Sequence, residues 1–170
     1  MKSITIRESY NINSNGMIKI LTSQKYYDYL TSVTPDMISS KITFLKEDNN
    51  FIYMKLSNNL ILDLPNFFRV SKSFNNSKVI ESYKIDKRKK IVTININSEI
   101  LNKGSCKCNC LFTLKDIAEN KILTAFTLSC ECKLPIIGSR VEDEICSKAF
   151  EKNKLKIKSI NKYINRLSKM

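Results

Sequence analysis

Histidine and tryptophan are absent from this chain, and glycine, proline and arginine are scarce. Without an imidazole, Ser–His–Asp and Cys–His catalytic schemes are excluded, and the commonest metal ligand is missing. The three glycines, at 16, 104 and 138, are isolated, so no glycine-rich loop exists to cradle a phosphate. No apolar run approaches the roughly 20 residues of a membrane-spanning helix. The polar start Met1-Lys2-Ser3 is unlike a signal peptide. A cytoplasmic or similarly reducing compartment is therefore the default expectation.

What the chain has in excess is lysine, with 24 Lys against 5 Arg in a net charge of +13. Arginine is the usual residue for bidentate recognition of bases and phosphates, so this balance argues against specific nucleic-acid binding. Isoleucine (23) and asparagine (18) are also abundant, and all three residues share AT-rich codons, so nucleotide bias explains much of the lysine. The charge is uneven: residues 148–170 hold eight basic side chains and one acidic one. That concentration fits a solvated helix face, with an anionic membrane surface or acidic partner as the alternative use.

At 170 residues, with ordinary hydrophobic and charged fractions, the chain suits one domain spanning 1–170. No repeat, linker or low-complexity tract divides it. Residues 3–10 alternate, with Ile4, Ile6 and Tyr10 on one face and Glu8 intruding on it. Two short helices follow, one behind the cap residues Asn13–Asn15 and one carrying Tyr26, Tyr27 and Tyr29; Pro35 closes this region. From residue 38 the period becomes two. Ile42 and Phe44 mark a strand, and 51–64 forms a long run that Asn58-Asn59 is expected to bulge or split. Residues 66–76 read as a loop carrying Phe67, Phe68 and Phe74. Strands at 79–86 and 91–100 pair across Lys87–Lys90, and strands at 105–115 and 122–134 pair across Glu119-Asn120.

The final element is one long helix over about 140–169. Val141, Ile145 and Ala149, then Ile157, Ile160, Ile164 and Leu167, recur at three- and four-residue steps, and Ser139 with Glu142 fits a capping box. A long antiparallel sheet with one apolar face needs a cover, and this helix is the only large candidate. The reading is α+β: a curved sheet of about seven strands wrapped around a C-terminal helix. A concave sheet and a helix rarely mate along their whole length, so a cavity between them is expected.

This order of elements resembles the helix-grip fold of the START and polyketide-cyclase-like superfamily. The local likeness is Leu134-Pro135-Ile136-Ile137-Gly138-Ser139-Arg140-Val141-Glu142, which is similar to the Pro-x-x-Gly-x-x-x-Glu approach to the helix in a small START-like family of that superfamily. The resemblance implies a cavity for an apolar ligand such as a lipid, sterol or polyketide, with a minority of members acting as enzymes. On that reading the protein is a non-catalytic carrier or sensor of a hydrophobic small molecule, needing no cofactor. Its expected cavity residues are Tyr10, Phe44, Tyr53, Tyr83, Ile94, Cys108, Cys110, Phe112, Phe126, Leu128 and Cys130 from strands, and Val141, Ile145 and Ala149 from the helix. Lys152, Lys154, Lys156, Lys158, Lys162 and Arg166 are the candidate contacts for a membrane or acidic partner.

Five cysteines complicate the two strands before the helix. Cys106, Cys108 and Cys110 share a face, as do Cys130 and Cys132, and a turn near Asn120 sets Cys110 opposite Cys130 and Cys108 opposite Cys132. Two C-x-C units can suggest zinc. The same faces continue into Phe112, Leu114, Phe126 and Leu128, however, where reduced cysteine behaves as a small hydrophobe. Small apolar wall residues are therefore expected, with metal or disulfides as the disfavoured readings. Glu8 and Glu81 fall in phase with apolar faces and are the only candidates for acid–base chemistry.

Overall fold

The computed structural model describes residues 1–61, 77–98, 106–133 and 138–169. Ten elements run in the order β1 (Lys2–Tyr10), α1 (Ser14–Leu21), α2 (Gln24–Val33), β2 (Met37–Glu47), β3 (Phe51–Leu60), β4 (Ser77–Asp86), β5 (Ile91–Ser98), β6 (Cys106–Ala118), β7 (Lys121–Cys132) and α3 (Gly138–Leu167). The strands form one antiparallel sheet in the order β1-β7-β6-β5-β4-β3-β2. Helix α3 packs against β7, β1 and α2. This is the helix-grip α+β architecture. The Phe67, Phe68 and Phe74 loop and Pro135 lie outside the described residues.

Alternation decides which face of each strand turns inward. In β4 the buried residues are Ser77, Val79, Glu81, Tyr83 and Ile85; in β6 they are Cys106, Cys108, Cys110, Phe112 and Leu114. Two edges remain, and each is managed. On β2 the side chain of Gln24 donates to the Ser40 carbonyl (2.9 Å) and accepts from the Ile42 N–H (2.8 Å), occupying backbone groups that would otherwise be free to pair with another strand. The other edge, β1, has α3 beside it. At the start of α1, Asn13 accepts from the Gly16 N–H, while Asp116 of β6 accepts from both the N–H and hydroxyl of Ser14. These bonds satisfy donors that a helix start leaves unpaired.

Two local expectations are corrected. Asn58-Asn59 neither bulges nor splits β3, which pairs without interruption to β4. The bulges lie in β2, between Met37 and Ser39 and between Ile42 and Phe44. Strand β6 pairs with β7 two residues away from the expected register, giving Cys106 opposite Cys132, Cys108 opposite Cys130 and Cys110 opposite Leu128. The Glu119-Asn120 turn is where the sequence places it, but an irregularity between Asp116 and Ala118 shifts the ladder beyond it. A shift of two preserves the face, so the cysteines still point inward.

Glu142 does not reach back to cap its own helix. Its Oε1 accepts from the backbone N–H of Cys132 at 2.9 Å, and its Oε2 lies 3.2 Å from the amino group of Met1. One buried carboxylate thus joins the start of α3, the end of β7 and the start of β1. Gly138 allows the approach: a Cβ there would stand 2.6 Å from the Cys132 carbonyl oxygen. Lys2 adds an ion pair to Asp143 beside the junction. The Cys132 N–H first, then the Met1 amino group, hold the Glu142 carboxyl below the ordinary glutamate range. A depressed folded-state pKa stabilises the fold above the unfolded-state value of about 4.3 and loses that contribution as pH falls through the folded value. Glu142→Gln is therefore expected to lower the melting temperature at pH 6–7, with the gap to the unsubstituted protein narrowing as the pH is taken down toward 3. A gap that stays constant with pH would show that the ionised carboxylate is not what holds the junction.

Candidate functional site: a cavity between sheet and helix

A cavity of about 360 Å³ lies between the inner sheet face and α3. Its wall takes Ile6, Glu8 and Tyr10 from β1, Tyr26, Tyr27 and Leu30 from α2, and inward residues of β2 through β7. Ile145, Ala149, Leu155, Ile157 and Ile160 of α3 form part of the opposite wall. It reaches the surface beside Thr34, Pro35 and Asp36, where Lys152 faces Asp36 at 3.8 Å and both side chains are about half exposed. The volume is within the range of small-molecule sites, and the wall is mostly apolar.

Of the expected wall residues, Tyr10, Tyr83, Ile94, Cys108, Cys110, Phe112, Phe126, Leu128, Ile145 and Ala149 line this cavity. Cys130 and Val141 are fully buried but pack behind the wall rather than in it. Phe44 and Tyr53 are corrections. The β2 bulge places Phe44 opposite Lys55, on the outer face, and leaves it 46% exposed. Tyr53 is in the outward phase of β3, where it meets Phe51, while Ile52, Met54, Leu56 and Asn58 turn inward. Phe51 and Tyr53 make the outer phase locally apolar, and the polar continuation at Lys55, Ser57 and Asn59 is the signal that identifies it as outer.

The lysines of α3 divide. Lys154, Lys158, Lys162 and Arg166 are exposed on the outer side; Lys154 stacks over Phe150 and Arg166 over Tyr29. Lys152 and Lys156 instead belong to the cavity wall, as does Lys148. A spacing signal was available: Lys148, Lys152 and Lys156 precede Ile160 at successive four-residue steps, which places them along one side of a helix.

One polar pole interrupts the apolar wall. Ser40 donates to Asn58 Oδ1 (2.6 Å), Asn58 Nδ2 donates to Glu81 Oε1 (3.0 Å), and the Tyr83 hydroxyl donates to Glu81 Oε2. Lys156 Nζ stands 4.0 Å from Glu81 Oε1. Glu81 is buried, yet every carboxylate oxygen has a partner, as a buried charge requires. Burial first, then the Glu81 charge, keeps the Tyr83 hydroxyl protonated well above the ordinary tyrosine range. Tyr27 is shifted upward for the same two reasons, and its hydroxyl donates to the Leu21 carbonyl at 2.7 Å. Glu8 lies on the wall nearer the β1 edge.

The cysteines form a ladder at one side of this cavity. Cys106 and Cys132 are joined by a disulfide, correcting the expectation of reduced thiols throughout; the two residues are directly opposed across β6 and β7. Cys108 and Cys130, one rung on, are free and 3.2 Å apart. The bond with Cys108, followed by burial, pushes the Cys130 thiol up, and burial pushes Cys110 up to about 12. Thiols so disposed toward protonation are poor nucleophiles and poor metal ligands. Among the described residues no group of three or more Cys, Asp or Glu is placed to hold a metal ion.

A curved sheet gripping a long helix over a cavity defines the helix-grip class of α+β protein. Comparison with solved structures gives the particular fold as START-like. A START superfamily protein from Mycobacterium smegmatis superposes with a TM-score of 0.65 at 11% identity, over 97% of this chain and 98% of that one. The Zhui aromatase/cyclase from a Streptomyces gives 0.67 at 6% identity, over 97% and 94%. Norcoclaurine synthase from Thalictrum flavum gives 0.64 at 10%, over 96% and 86%. No protein-family model and no curated protein sequence matches this chain. The likeness is thus one of fold, spanning nearly the whole chain.

Replacing Tyr83 by Phe removes a donor from Glu81 without changing the shape of the wall. A hydrogen bond to a buried charge contributes roughly 1.5–3 kcal/mol. Tyr83→Phe is expected to lower unfolding stability by about that amount in urea titrations, and an unchanged midpoint would count against an ordered Glu81 network.

Proposed function

We propose that this protein binds a hydrophobic small molecule or lipid in the cavity between sheet and α3, as a non-catalytic carrier or sensor. The cavity carries this reading: a mostly apolar space of about 360 Å³ that opens to the surface beside Asp36 and Lys152. The START-like fold supports it, since that fold surrounds such a space with sheet and helix. The non-catalytic part rests on the polar pole. Glu81 is engaged as an acceptor by Asn58 and Tyr83, and the nearby thiol of Cys110 is held protonated. These groups orient a ligand better than they move protons. In the test, native mass spectrometry of the gently purified protein is expected to find one apolar molecule per chain. The stripped protein should then bind the neutral dye N-phenyl-1-naphthylamine, with saturable fluorescence. A protein that carries nothing and leaves the dye dark has a filled core, and the reading fails.

A second reading is supported by the exposed row Lys158, Lys162 and Arg166 on α3. We infer that this face meets an anionic membrane surface, which is compatible with ligand exchange there. Near such a surface each basic residue contributes about 1 kcal/mol, screened by salt. Vesicles of phosphatidylserine in phosphatidylcholine are expected to retain the protein at low salt and release it as sodium chloride is raised. Lys158→Glu with Lys162→Glu should abolish retention, and salt-independent binding would refute the electrostatic account.

A further inference from the structure

We propose that the Lys156–Glu81 pole recognises a neutral ligand through an oxygen acceptor, such as a ketone, amide or ester carbonyl, with the apolar body of the ligand filling the rest of the cavity. The inference rests on the cavity reading above and narrows it to a chemical class.

The donor inventory points to an acceptor. Each oxygen of Glu81 already accepts one hydrogen bond, Oε1 from Asn58 and Oε2 from Tyr83, so about two of the carboxylate's roughly four acceptor sites are taken before a ligand arrives. Lys156 is the complement. Its ammonium has three N–H donors. Its ion partner Glu81 stands at 4.0 Å, beyond hydrogen-bond distance, and the lysine side chain retains 40% exposure. Glu81 is fixed by its own bonds and holds the ammonium at the wall without consuming its donors. A carbonyl oxygen arriving from the cavity meets those donors directly.

Charge balance points to neutrality. Among the described residues, the carboxylate and ammonium side chains on the wall are Glu8, Asp36 and Glu81 against Lys148, Lys152 and Lys156, three of each sign. A carboxylate ligand would add an unbalanced negative charge beside Glu81. An ammonium ligand would face Lys156. A neutral molecule with one acceptor disturbs neither, and it costs less to desolvate than either ion. The apolar remainder of the wall, from Ile94 to Phe126 and Leu128, sets no directional demand on the body of the ligand.

The test uses four naphthalenes matched in shape and differing at one substituent: 2-acetylnaphthalene, 2-isopropylnaphthalene, 2-naphthoate and 2-(1-aminoethyl)naphthalene. Each competes against N-phenyl-1-naphthylamine on the stripped protein. The ketone is expected to displace the dye at a concentration at least tenfold lower than the isopropyl compound, equivalent to about 1.4 kcal/mol. The naphthoate and the ammonium compound should do no better than the isopropyl compound. Lys156→Met should bring ketone and hydrocarbon within threefold of each other, and Lys156→Arg, which keeps charge and donors, should restore the preference. On the unsubstituted protein, a ketone no better than the hydrocarbon overturns the proposal, as does a naphthoate that binds best. A preference that survives in Lys156→Met, shown by circular dichroism to be folded, overturns the assignment to Lys156. Failure of the dye itself to bind would strike instead at the cavity reading, so the two failures are separable.

Discussion

The fold depends on how one end of a helix is fastened to two strand ends. Glu142 lies in the first turns of α3, yet its carboxylate is spent on the Cys132 N–H of β7 and the Met1 amino group that begins β1. Gly138 removes the side chain that would keep α3 from Cys132. Strands β7 and β1 are sheet neighbours, so this junction fixes the helix over one side of the sheet. It leaves the middle of α3 to span the concave face with Ile145, Ala149 and Ile157 turned toward it. At about 1.5 Å per residue, a 30-residue helix is roughly 45 Å long, enough to cross the sheet and reach α2. There Tyr163 packs against Tyr26 and Tyr29. The cavity is what remains between two supports: the Glu142 junction at one end and the tyrosine cluster at the other.

The same arrangement makes a charged group tolerable inside. Glu81 would be costly on an apolar wall, but Asn58 lies within reach because the β3–β4 register puts it beside Val79 with Leu56 opposite Glu81, and Tyr83 because it stands two residues along the same face of β4. Ser40 completes the row from β2 and is itself steadied by Gln24, which holds the Ser40 carbonyl. The polar pole is therefore a continuous chain from the sheet edge to the cavity. Its last member, Lys156, comes from the other wall.

Strand β5 was legible because its alternation is regular: Val92 and Ile94 are buried while Thr93 and Asn95 are exposed. Most of the wall followed from that phase. Phe44 did not, because a bulge inverts every residue beyond it, and nothing in Ile42-Thr43-Phe44 announces an extra residue. Tyr53 failed for a different reason: its ring and that of Phe51 suggest an apolar face, but the same phase continues into Lys55, Ser57 and Asn59, which marks it as the outer one. The capping-box spacing of Ser139 and Glu142 was present, but a glutamate at that position can reach a neighbouring strand as well as its own helix. Local spacing does not specify which. The approach motif marked Gly138 and Glu142 as the start of the helix, but nothing in it announced the junction with β7 and β1.

Lys156 shows how far a charge count can mislead. Summed over residues 148–170, the basic excess reads as one solvated face. The helix splits it by geometry. Four-residue steps from Lys148 through Lys152 and Lys156 lead into the buried Ile160, while those from Lys154 through Lys158, Lys162 and Arg166 stay outside. The inner row is matched by acids from the helix itself, from the turn before β2 and from β4: Glu144 beside Lys148, Asp36 beside Lys152 and Glu81 beside Lys156. In the outer row Lys154 is paired with Glu151, and Lys158, Lys162 and Arg166 carry the field that faces solvent. Within one helix the same residue type therefore has two consequences. On the outer face lysine gives a long-range attraction that salt screens. On the inner face, paired and partly desolvated, it becomes a directional donor whose strength depends on the low dielectric around it.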